Sequence, residues 1–314
     1  MRHFDLCVIG SGSGNTIIDD RFADQDIAMV EPGRFGGTCL NVGCIPSKMY
    51  VYPAGLARTP EHARALGVDL ELVGTRWPDI RDRIFARIDR DSAAGRKFRE
   101  ESDNVTLFDR RCHFVGIKQL AVGAETITAD RFVVAAGSRP VIPEVAGLDS
   151  VPYHTSDTIM RLAERPSRMV IMGGGYVAAE FAHVFSALGT AVTLVNRSDR
   201  LLRKEDDEVA TRFTEQLSQW VDVRMQTDLT AVERQDDGAV RVLLDGPGGP
   251  SEMATDVLLV AVGRMSNGDT LNLPAAGIQM NDQGRIVVDE YQRTTADGIF
   301  ALGDVSTEFP LKHV

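Results

Sequence analysis

Two of the four cysteines in this 314-residue chain lie five positions apart, at Cys39 and Cys44. The stretch that contains them, GGTCLNVGCIPSK at 36–48, places a glycine pair before them and a lysine after them. Thiols this close can be ligands of a structural zinc, ordinary buried side chains or a redox-active disulfide. The surrounding residues favour one of these three kinds of site.

The residues around the pair favour the disulfide. The other cysteines, Cys7 and Cys112, stand alone in predicted strands and do not complete a zinc site, so we expect no bound metal. Two ordinary buried thiols remain the alternative, although glycine-rich surroundings are typical of a ligand site. Five residues of regular helix rise about 7.5 Å, whereas the Cα atoms of a disulfide lie within about 7 Å. The helix must therefore be interrupted, which Asn41 and Gly43 permit.

A glycine-rich turn follows the first predicted strand. The strand FDLCVIG at 4–10 leads into GSGSGN at 10–15, and a helix-length segment and a second strand, IAMVE, follow. This order is typical of a Rossmann unit, in which the glycines let a pyrophosphate approach the backbone at the N-terminus of the helix. Asn15 stands where a third glycine is usual, and Glu31, at the end of the second strand, is placed to bind ribose hydroxyls.

The same order recurs in the second half of the chain. The predicted strand MVIMGGG at 169–175 leads into a turn with Gly173, Gly175 and Ala178 at Rossmann spacing. The following YVAAEFAHVFSALG is predicted to form an amphipathic helix. The next strand, AVTLVN, ends at Asn196, where an NAD site would have an acid.

Two arginines follow Asn196. Arg197 and Arg203 offer cations where the 2′-phosphate of NADP would lie. We therefore predict NADPH rather than NADH, against the alternative that both arginines are solvated surface residues. Two dinucleotide units in one chain indicate two cofactors, and a flavin next to a nicotinamide is the pair between which hydride passes directly.

A long amphipathic helix is predicted in the first half of the chain. Residues 76–101 alternate charged and apolar residues at helical spacing. Most of its charges are expected to form a solvated face.

The composition excludes several other classes of function. Hydrophobic residues make up 43% of the chain and charged residues 25%, as in folded soluble proteins, and the length suits two domains. The net charge of −11 argues against a nucleic-acid partner. No apolar run reaches the roughly 20 residues of a membrane span, and the N-terminus lacks the layout of a signal peptide. We therefore expect a cytoplasmic protein with neither a nucleic-acid nor a membrane partner.

Several motifs together resemble those of the flavoprotein disulfide reductases, a family that includes glutathione, mercuric and mycothione reductases and dihydrolipoamide dehydrogenase. The resemblance covers essentially the whole chain, and its motifs are GSGSGNT, EPGRFGGTCLNVGCIPSK, VVAAGSRP, GGGYVAAEFA, LLVAVGR and GIFALGDV. It implies an α/β fold of two Rossmann-like three-layer domains, with the NADPH domain inserted in a discontinuous FAD domain. The expected bounds are 1–150 and 264–314 for the FAD domain and 151–263 for the NADPH domain.

Within the family, the mycothione reductase branch is the most similar. The segments that carry this similarity are GSGSGNT, YHTSDTIMR, EFAHVFSALG and VDEYQRT. It implies a homodimer that reduces mycothione, a small-molecule disulfide, to mycothiol. A dihydrolipoamide dehydrogenase, which shares CLNVGCIPSK but uses NAD, or another disulfide reductase is one alternative. A non-thiol FAD/NAD(P)H flavoprotein, or an inactive FAD-binding fragment, is the other.

The resemblance also implies roles for individual residues. Cys39 resembles the interchange thiol, which attacks the substrate disulfide, and Cys44 resembles the charge-transfer thiol against the flavin. Lys48 and Glu180 match an ion pair beside the flavin ring, where a cation stabilises the reduced anionic flavin. An ordinary salt bridge between helices is the alternative. Tyr176 matches the aromatic residue that covers the nicotinamide pocket.

The same motifs assign residues to both cofactors. Glu31 is expected at the FAD ribose, Thr38 at the pyrophosphate, Asp304 at the ribityl chain and Arg264 close to the flavin. The full set expected to bind FAD is Gly10, Gly12, Gly14, Glu31, Gly37, Thr38, Lys48, Ala136, Gly137, Arg264, Gly303 and Asp304. The set expected to bind NADPH is Gly173, Gly175, Tyr176, Arg197, Arg203 and Gly263.

A proton donor for the departing thiol is the part of the family's site that we expect this chain to lack. In the family, a His paired with a Glu in a C-terminal interface domain of the other subunit has this role, and we expect that domain to be absent. None of the six histidines stands in the His-Pro…Glu setting of that motif. Neither His183 nor His313 is therefore assigned as the catalytic acid.

Overall fold

The computed structural model describes residues 1–309, which divide into two compact units. The first unit consists of Met1–Cys44, Ala86–Arg139 and the described part of Arg264–Val314, and the second of Ile45–Phe85 and Pro140–Gly263. The helices are α1 (Gly37–Asn41), α2 (Cys44–Ala57), α3 (Thr59–Ala65), α4 (Trp77–Glu100), α5 (Tyr176–Ala187) and α6 (Asp207–Leu217). The strands are β1 (Arg2–Ile9), β2 (Ile27–Val30), β3 (Val105–Phe108), β4 (Cys112–Gly116), β5 (Gln119–Val122), β6 (Glu125–Val134), β7 (Ser138–Pro140), β8 (Arg168–Met172), β9 (Ala191–Val195), β10 (Asp222–Arg224), β11 (Asp228–Arg234), β12 (Val240–Gly246), β13 (Gly249–Thr255), β14 (Val257–Val260), β15 (Arg264–Ser266) and β16 (Ile299–Ala301).

The first unit is built on a sheet of order β3-β2-β1-β6-β5-β4, in which β16 also pairs with β6. The strand β1 runs parallel to β2 and β6, whereas β5 is antiparallel to β6 and β4. The apolar run of β2 is buried throughout because a parallel sheet is covered on both faces. The sheet brings the end of β1, and with it Gly10, next to the end of β2, where Glu31 follows.

The second unit contains a parallel sheet of order β10-β9-β8-β14 and an antiparallel sheet of order β11-β12-β13. The helix α5 begins at Tyr176, directly after the glycine-rich turn that follows β8. It ends at Ala187, and Gly189 has a φ of 101°, a left-handed conformation that glycine adopts without strain. The predicted α/β class with parallel Rossmann-like sheets is therefore confirmed.

The helix α4, Trp77–Glu100, confirms the long helix predicted over 76–101. Most of its charged residues are exposed, whereas Ser92 is buried and donates a hydrogen bond of 2.6 Å to the backbone oxygen of Phe35. None of the helices in residues 1–309 is both long and apolar enough to cross a membrane.

The helix expected after the first glycine-rich turn does not form, which corrects the sequence analysis. Two short 3₁₀ turns, Gly14–Ile17 and Asp20–Phe22, take its place. In an α-helix the backbone oxygens of Asn15 and Ile18 would accept hydrogen bonds from N–H groups four residues later. Here both oxygens accept hydrogen bonds from the guanidinium of Arg99, each at 3.0 Å. A side chain distant in sequence thus replaces the helical hydrogen bonds.

The compact units differ from the predicted domain bounds in two segments, 45–85 and 140–150, which both belong to the second unit. Segment 45–85 is held there by an aromatic cluster: Tyr50 stacks on Trp77 at 5.0 Å between ring centroids, and the Trp77 and Phe185 ring centroids lie 5.1 Å apart. The Trp77 ring N–H also donates a hydrogen bond of 2.8 Å to the backbone oxygen of Leu162. The cofactor that belongs to each unit stays a prediction.

We expect Tyr50→Phe to lower the free energy of unfolding by about 1–2 kcal/mol, because it leaves a buried acceptor without its donor. The Tyr50 hydroxyl is fully buried and donates a hydrogen bond of 2.7 Å to the backbone oxygen of Met160. Tyr52→Phe, on the same helix and 72% exposed, is the matched control. Denaturant unfolding measures both variants, and equal stabilities of the two would show that this hydrogen bond contributes nothing.

Candidate redox centre and dinucleotide-binding turns

Cys39 and Cys44 form a disulfide in the first unit, with their Cα atoms 4.8 Å apart. Cys39 lies in α1 and Cys44 is the first residue of α2, and the helix is interrupted at Val42 and Gly43, as the spacing predicts. The N–H of Val42 donates to the backbone oxygen of Thr38 at 2.9 Å, which closes α1. The short distance between the cysteines is therefore a consequence of the interruption.

Gly43 has no room for a side chain. A Cβ at this position would lie 2.9 Å from the backbone oxygen of Thr38 and 3.1 Å from the Cα of Cys39. Because both neighbours are backbone atoms, they cannot move without displacing α1 and its cysteine. A glycine is thus required where the chain folds back toward Cys39.

The first glycine-rich turn is equally close-packed. Gly10 has a φ of 104°, and a Cβ there would lie 2.3 Å from the backbone oxygen of Ala135. A Cβ on Gly14 would lie 2.8 Å from a methyl of Val8, and one on Gly37 would lie 2.7 Å from the Cα of Gly12. Gly10, Gly12 and Gly37 are thus packed against main-chain atoms, and an approach this close to the main chain is also what a dinucleotide needs.

Glu31 is connected to this turn by hydrogen bonds that the sequence analysis missed. One carboxylate oxygen accepts from the backbone N–H of Ser11 at 2.9 Å and from its hydroxyl at 2.7 Å. The other oxygen accepts from the N–H of Gly33 at 2.8 Å. The Ser11 hydroxyl, 1% exposed, in turn accepts from the N–H of Gly36 just before α1. The position of Ser11 between Gly10 and Gly12 was the sequence feature that could have indicated its contact with Glu31.

A second hydrogen-bond network in the first unit surrounds Asp304. The hydroxyl of Ser138 donates to the Asp304 carboxylate at 2.6 Å. Arg264 donates to the same hydroxyl at 2.9 Å through Nε and to the Ser138 backbone oxygen at 2.7 Å through Nη2. Ser138, which the sequence analysis did not select, thus bridges two predicted FAD residues. The neighbouring Gly137 and Gly303 both have positive φ, of 68° and 77°.

The backbone of Ala136, which precedes Gly137, also accepts a hydrogen bond from a residue distant in sequence. Its oxygen accepts a hydrogen bond of 2.8 Å from the side-chain amide of Asn267, and the N–H of Asn267 donates to the oxygen of Gly137 at 3.0 Å. The VVAAGSRP segment is therefore held to the segment that follows β15. Thr38, the residue expected at the pyrophosphate, lies in α1 between Gly37 and Cys39.

In the second unit, Lys48 and Glu180 form an ion pair between α2 and α5. Lys48 is one helical turn after Cys44, so the two residues lie on the same face of α2. The Lys48 side chain is 66% exposed, and an exposed pair stabilises the fold little by itself. The arrangement fits either an electrostatic role or an ordinary salt bridge.

His183 lies one turn after Glu180 on α5. Burial lowers the pKa of His183, and the nearby Arg58 lowers it further, while Glu180 opposes the shift. At neutral pH the imidazole is therefore neutral and does not add to the charges of the ion pair. His313, also left unassigned above, lies outside the described residues.

The second glycine-rich turn repeats the close packing of the first. Gly173 has a φ of 132°, and a Cβ there would lie 2.3 Å from the backbone oxygen of Ala261. Gly175 precedes α5, and within residues 1–309 a Cβ at this position would meet open space beyond its own chain neighbours. Tyr176 begins α5 and is 49% exposed. Gly263, with a φ of 141°, likewise has open space beside it.

Asn196 forms hydrogen bonds with the loop after β9, which contains Arg197 and Arg203. Its side-chain amide donates to the backbone oxygens of Ser198 at 3.3 Å and Arg200 at 3.0 Å. A Cβ on Gly174 would lie 2.5 Å from the Asn196 side chain, and the N–H of Leu202 donates to the oxygen of Gly174 at 2.8 Å. Asn196 therefore holds this loop against the glycine-rich turn. It also stands at the position where an NAD site would have an acidic residue.

Arg197 and Arg203 are both exposed on this loop. Arg197 forms a long ion pair with Asp228, at 3.8 Å. Within residues 1–309, Arg203 has no ion pair or side-chain hydrogen bond, whereas the neighbouring Arg200 is paired with Asp207 at 2.6 Å. Of the three arginines in this loop, the two predicted NADP ligands are thus the ones whose charge is least neutralised by an acidic side chain. The same described part of the chain contains no cluster of His, Cys, Asp and Glu that could hold a metal ion.

The family model described as pyridine nucleotide-disulphide oxidoreductase matches residues 4–314. A mycothione reductase of Mycobacterium tuberculosis is 46% identical over 320 residues, which is 100% of this chain and 69% of that protein. A dihydrolipoyl dehydrogenase of Halobacterium salinarum is 35% identical over 98% of this chain and 67% of its own length. Among solved structures, the Cu(II) complex of the HOCl-induced flavoprotein disulfide reductase RclA from Escherichia coli has a TM-score of 0.87 and 26% identity, over 100% of this chain and 68% of that chain.

Thiol counting tests the disulfide. We expect two thiols, those of Cys7 and Cys112, when the unreduced protein is unfolded and treated with a maleimide, and four after reduction. In the folded, reduced protein, Cys39 and Cys44 should react first. Cys7 is fully buried, and burial, followed by the charge of Glu31, raises the pKa of Cys112 to about 12, so its thiol stays protonated and weakly reactive at neutral pH.

The unreduced Cys39→Ser variant is the control for this experiment. It should show three thiols, because Cys44 loses its partner. Four reactive thiols in the unreduced wild-type chain would contradict the disulfide.

Proposed function

The chain belongs to the pyridine nucleotide-disulphide oxidoreductase family, and we propose that it uses NADPH, FAD and the Cys39–Cys44 disulfide to reduce a small thiol disulfide. The observation that carries this proposal is the disulfide at the junction of α1 and α2, next to a glycine-rich turn in the same unit. Family membership supports a flavin and a pyridine nucleotide. The identity of each cofactor and of the substrate belongs to the proposal.

The substrate we propose is mycothione. The support is the mycothione reductase that is 46% identical over the full length of this chain. A dihydrolipoyl dehydrogenase is the second candidate, because one such enzyme is 35% identical. Thiol chemistry of either kind suits a reducing compartment, so we propose a cytoplasmic location.

The first unit offers the residues that would hold FAD. Gly10, Gly12 and Gly37 are half-buried, so a pyrophosphate would reach their backbone, and Glu31 is fixed by Ser11 beside them. Ser138 orients the Asp304 carboxylate that we expect at the ribityl chain. The flavin, when bound, would supply the transfer of electrons between the nicotinamide and the disulfide.

The protein residues carry out the exchange with the substrate. The Cys39 thiolate attacks one sulfur of the substrate disulfide, which releases the first product thiol and leaves a mixed disulfide on Cys39. The Cys44 thiolate then attacks the Cys39 sulfur, which releases the second thiol and restores the Cys39–Cys44 disulfide. Each departing thiolate takes up one proton, and the two electrons gained by the substrate come from the two cysteines.

The proton donor is proposed to come from a partner subunit. None of the six histidines stands in the sequence setting of the family's proton donor, and the resemblance implies a His–Glu pair across the interface of a homodimer. A chain without such a partner should bind FAD and take up reducing equivalents but reduce its disulfide substrate slowly.

We expect anaerobic NADPH to produce a long-wavelength absorbance band of a thiolate next to the flavin in the wild-type protein. The Cys39→Ser variant should show the band before any NADPH is added, because the proposed thiolate, Cys44, has lost its disulfide partner. Cys44→Ser should show no such band at any stage of the titration. An absorbance titration of the purified proteins, each loaded with FAD, measures all three. Bleaching of the flavin without the band in the wild type would show that the cysteines do not exchange electrons with it, and would favour a non-thiol flavoprotein.

Cofactor preference is tested by replacing the two exposed arginines. The double variant Arg197→Ala/Arg203→Ala should raise the KM for NADPH by about tenfold or more and leave that for NADH nearly unchanged, because charge-assisted bonds to the 2′-phosphate are lost. Arg212→Ala, an exposed arginine on α6 in the same unit, is the control. A wild-type preference for NADH would instead favour the dihydrolipoyl dehydrogenase candidate.

A further inference from the structure

Arg99 is a buried arginine near the end of α4, only 8% exposed. Its Nε donates a hydrogen bond of 2.7 Å to the side-chain oxygen of Asn15, and its Nη2 donates to the backbone oxygens of Asn15 and Ile18 at 3.0 Å each. All of these contacts lie within the first unit. The guanidinium therefore holds the segment that directly follows the Gly10–Gly14 turn.

Nothing acidic compensates the charge of this guanidinium in residues 1–309. Arg99 forms no ion pair with an Asp or Glu in that range, and its guanidinium carbon lies 5.1 Å from the centroid of the Phe98 ring. Burial lowers the pKa of Arg99, which is the direction expected for a cation moved out of water. A buried cation without an acidic partner is costly, so an anion bound nearby would be stabilised.

The 3₁₀ turn at Gly14–Ile17 is too short to supply that charge itself. An α-helix after a dinucleotide-binding turn presents several free N–H groups and about half a positive charge at its N-terminus. In this chain no α-helix follows the turn. The backbone oxygens of Asn15 and Ile18, which such a helix would use in its own hydrogen bonds, accept from Arg99 instead. The segment is held at its far end as well, since the side-chain amide of Asn104 donates to the backbone oxygens of Phe22 and Gln25.

We propose that Arg99 is a positioning residue for the flavin's pyrophosphate: it holds the Gly10–Gly14 turn where no α-helix follows, and it supplies the positive charge that the helix would have supplied. The inference rests on the proposed binding of FAD to this turn. It explains why Asn15 takes the place of the third glycine, because its side chain is an acceptor for Arg99.

The test compares FAD dissociation constants of the apoproteins, measured by flavin fluorescence, with thermal midpoints recorded in parallel. Arg99→Met should bind FAD about tenfold more weakly, because its charge and its hydrogen bonds are lost. Arg99→Lys keeps the charge and should recover most of the affinity. Arg96→Met, on the same helix and paired with Glu100 at the surface, is the control and should bind as the wild type does.

Unchanged FAD affinity in Arg99→Met, or no recovery in Arg99→Lys, would overturn the inference while leaving the proposed function intact. If Arg99→Met does not fold, Asn15→Ala tests the same contact, since it removes the acceptor of the shortest Arg99 hydrogen bond and should weaken FAD binding. Wild-type affinity in Asn15→Ala would then overturn the inference. A wild-type protein that binds no FAD would contradict the proposed function itself.

Discussion

The backbone interruption between α1 and α2 is the constraint on which the redox centre depends. Two cysteines five residues apart cannot be joined across regular helix, because the rise along the axis separates them too far. Gly43 lets the chain turn against the backbone oxygen of Thr38, and Cys44 then begins a new helix 4.8 Å from Cys39, measured between Cα atoms. The position of the thiols is thus determined by backbone geometry rather than by side-chain packing.

The two glycine-rich turns reach similar geometry by different means. In the second unit the turn is followed by α5, so helical hydrogen bonds hold its end, and Asn196 packs against Gly174. In the first unit there is no such helix, and two polar side chains replace it. Ser11 connects the turn to Glu31 and Gly36, and Arg99 holds the segment after Gly14. Fixed polar contacts of this kind position backbone N–H groups without a continuous helix.

The sequence was sufficient to predict those features that are local. The interruption at Gly43, the helix α5 and the long helix α4 each follow from spacing and periodicity within one segment. The missing first helix was not predictable in this way, because the residue that replaces its hydrogen bonds is 84 positions away from Asn15. The bridge that Ser138 forms between Arg264 and Asp304 was missed for the same reason, since its partners are 126 and 166 positions away.

An anaerobic reductive titration with dithionite tests the central claim most directly, because it counts electrons and needs neither substrate nor proton donor. The account predicts uptake of about four electrons per bound flavin, two for the flavin and two for the Cys39–Cys44 disulfide. The Cys39→Ser variant should take up about two, because only the flavin remains reducible. Uptake of about two electrons by the wild-type protein would contradict the account, since the disulfide would then not be part of the redox centre.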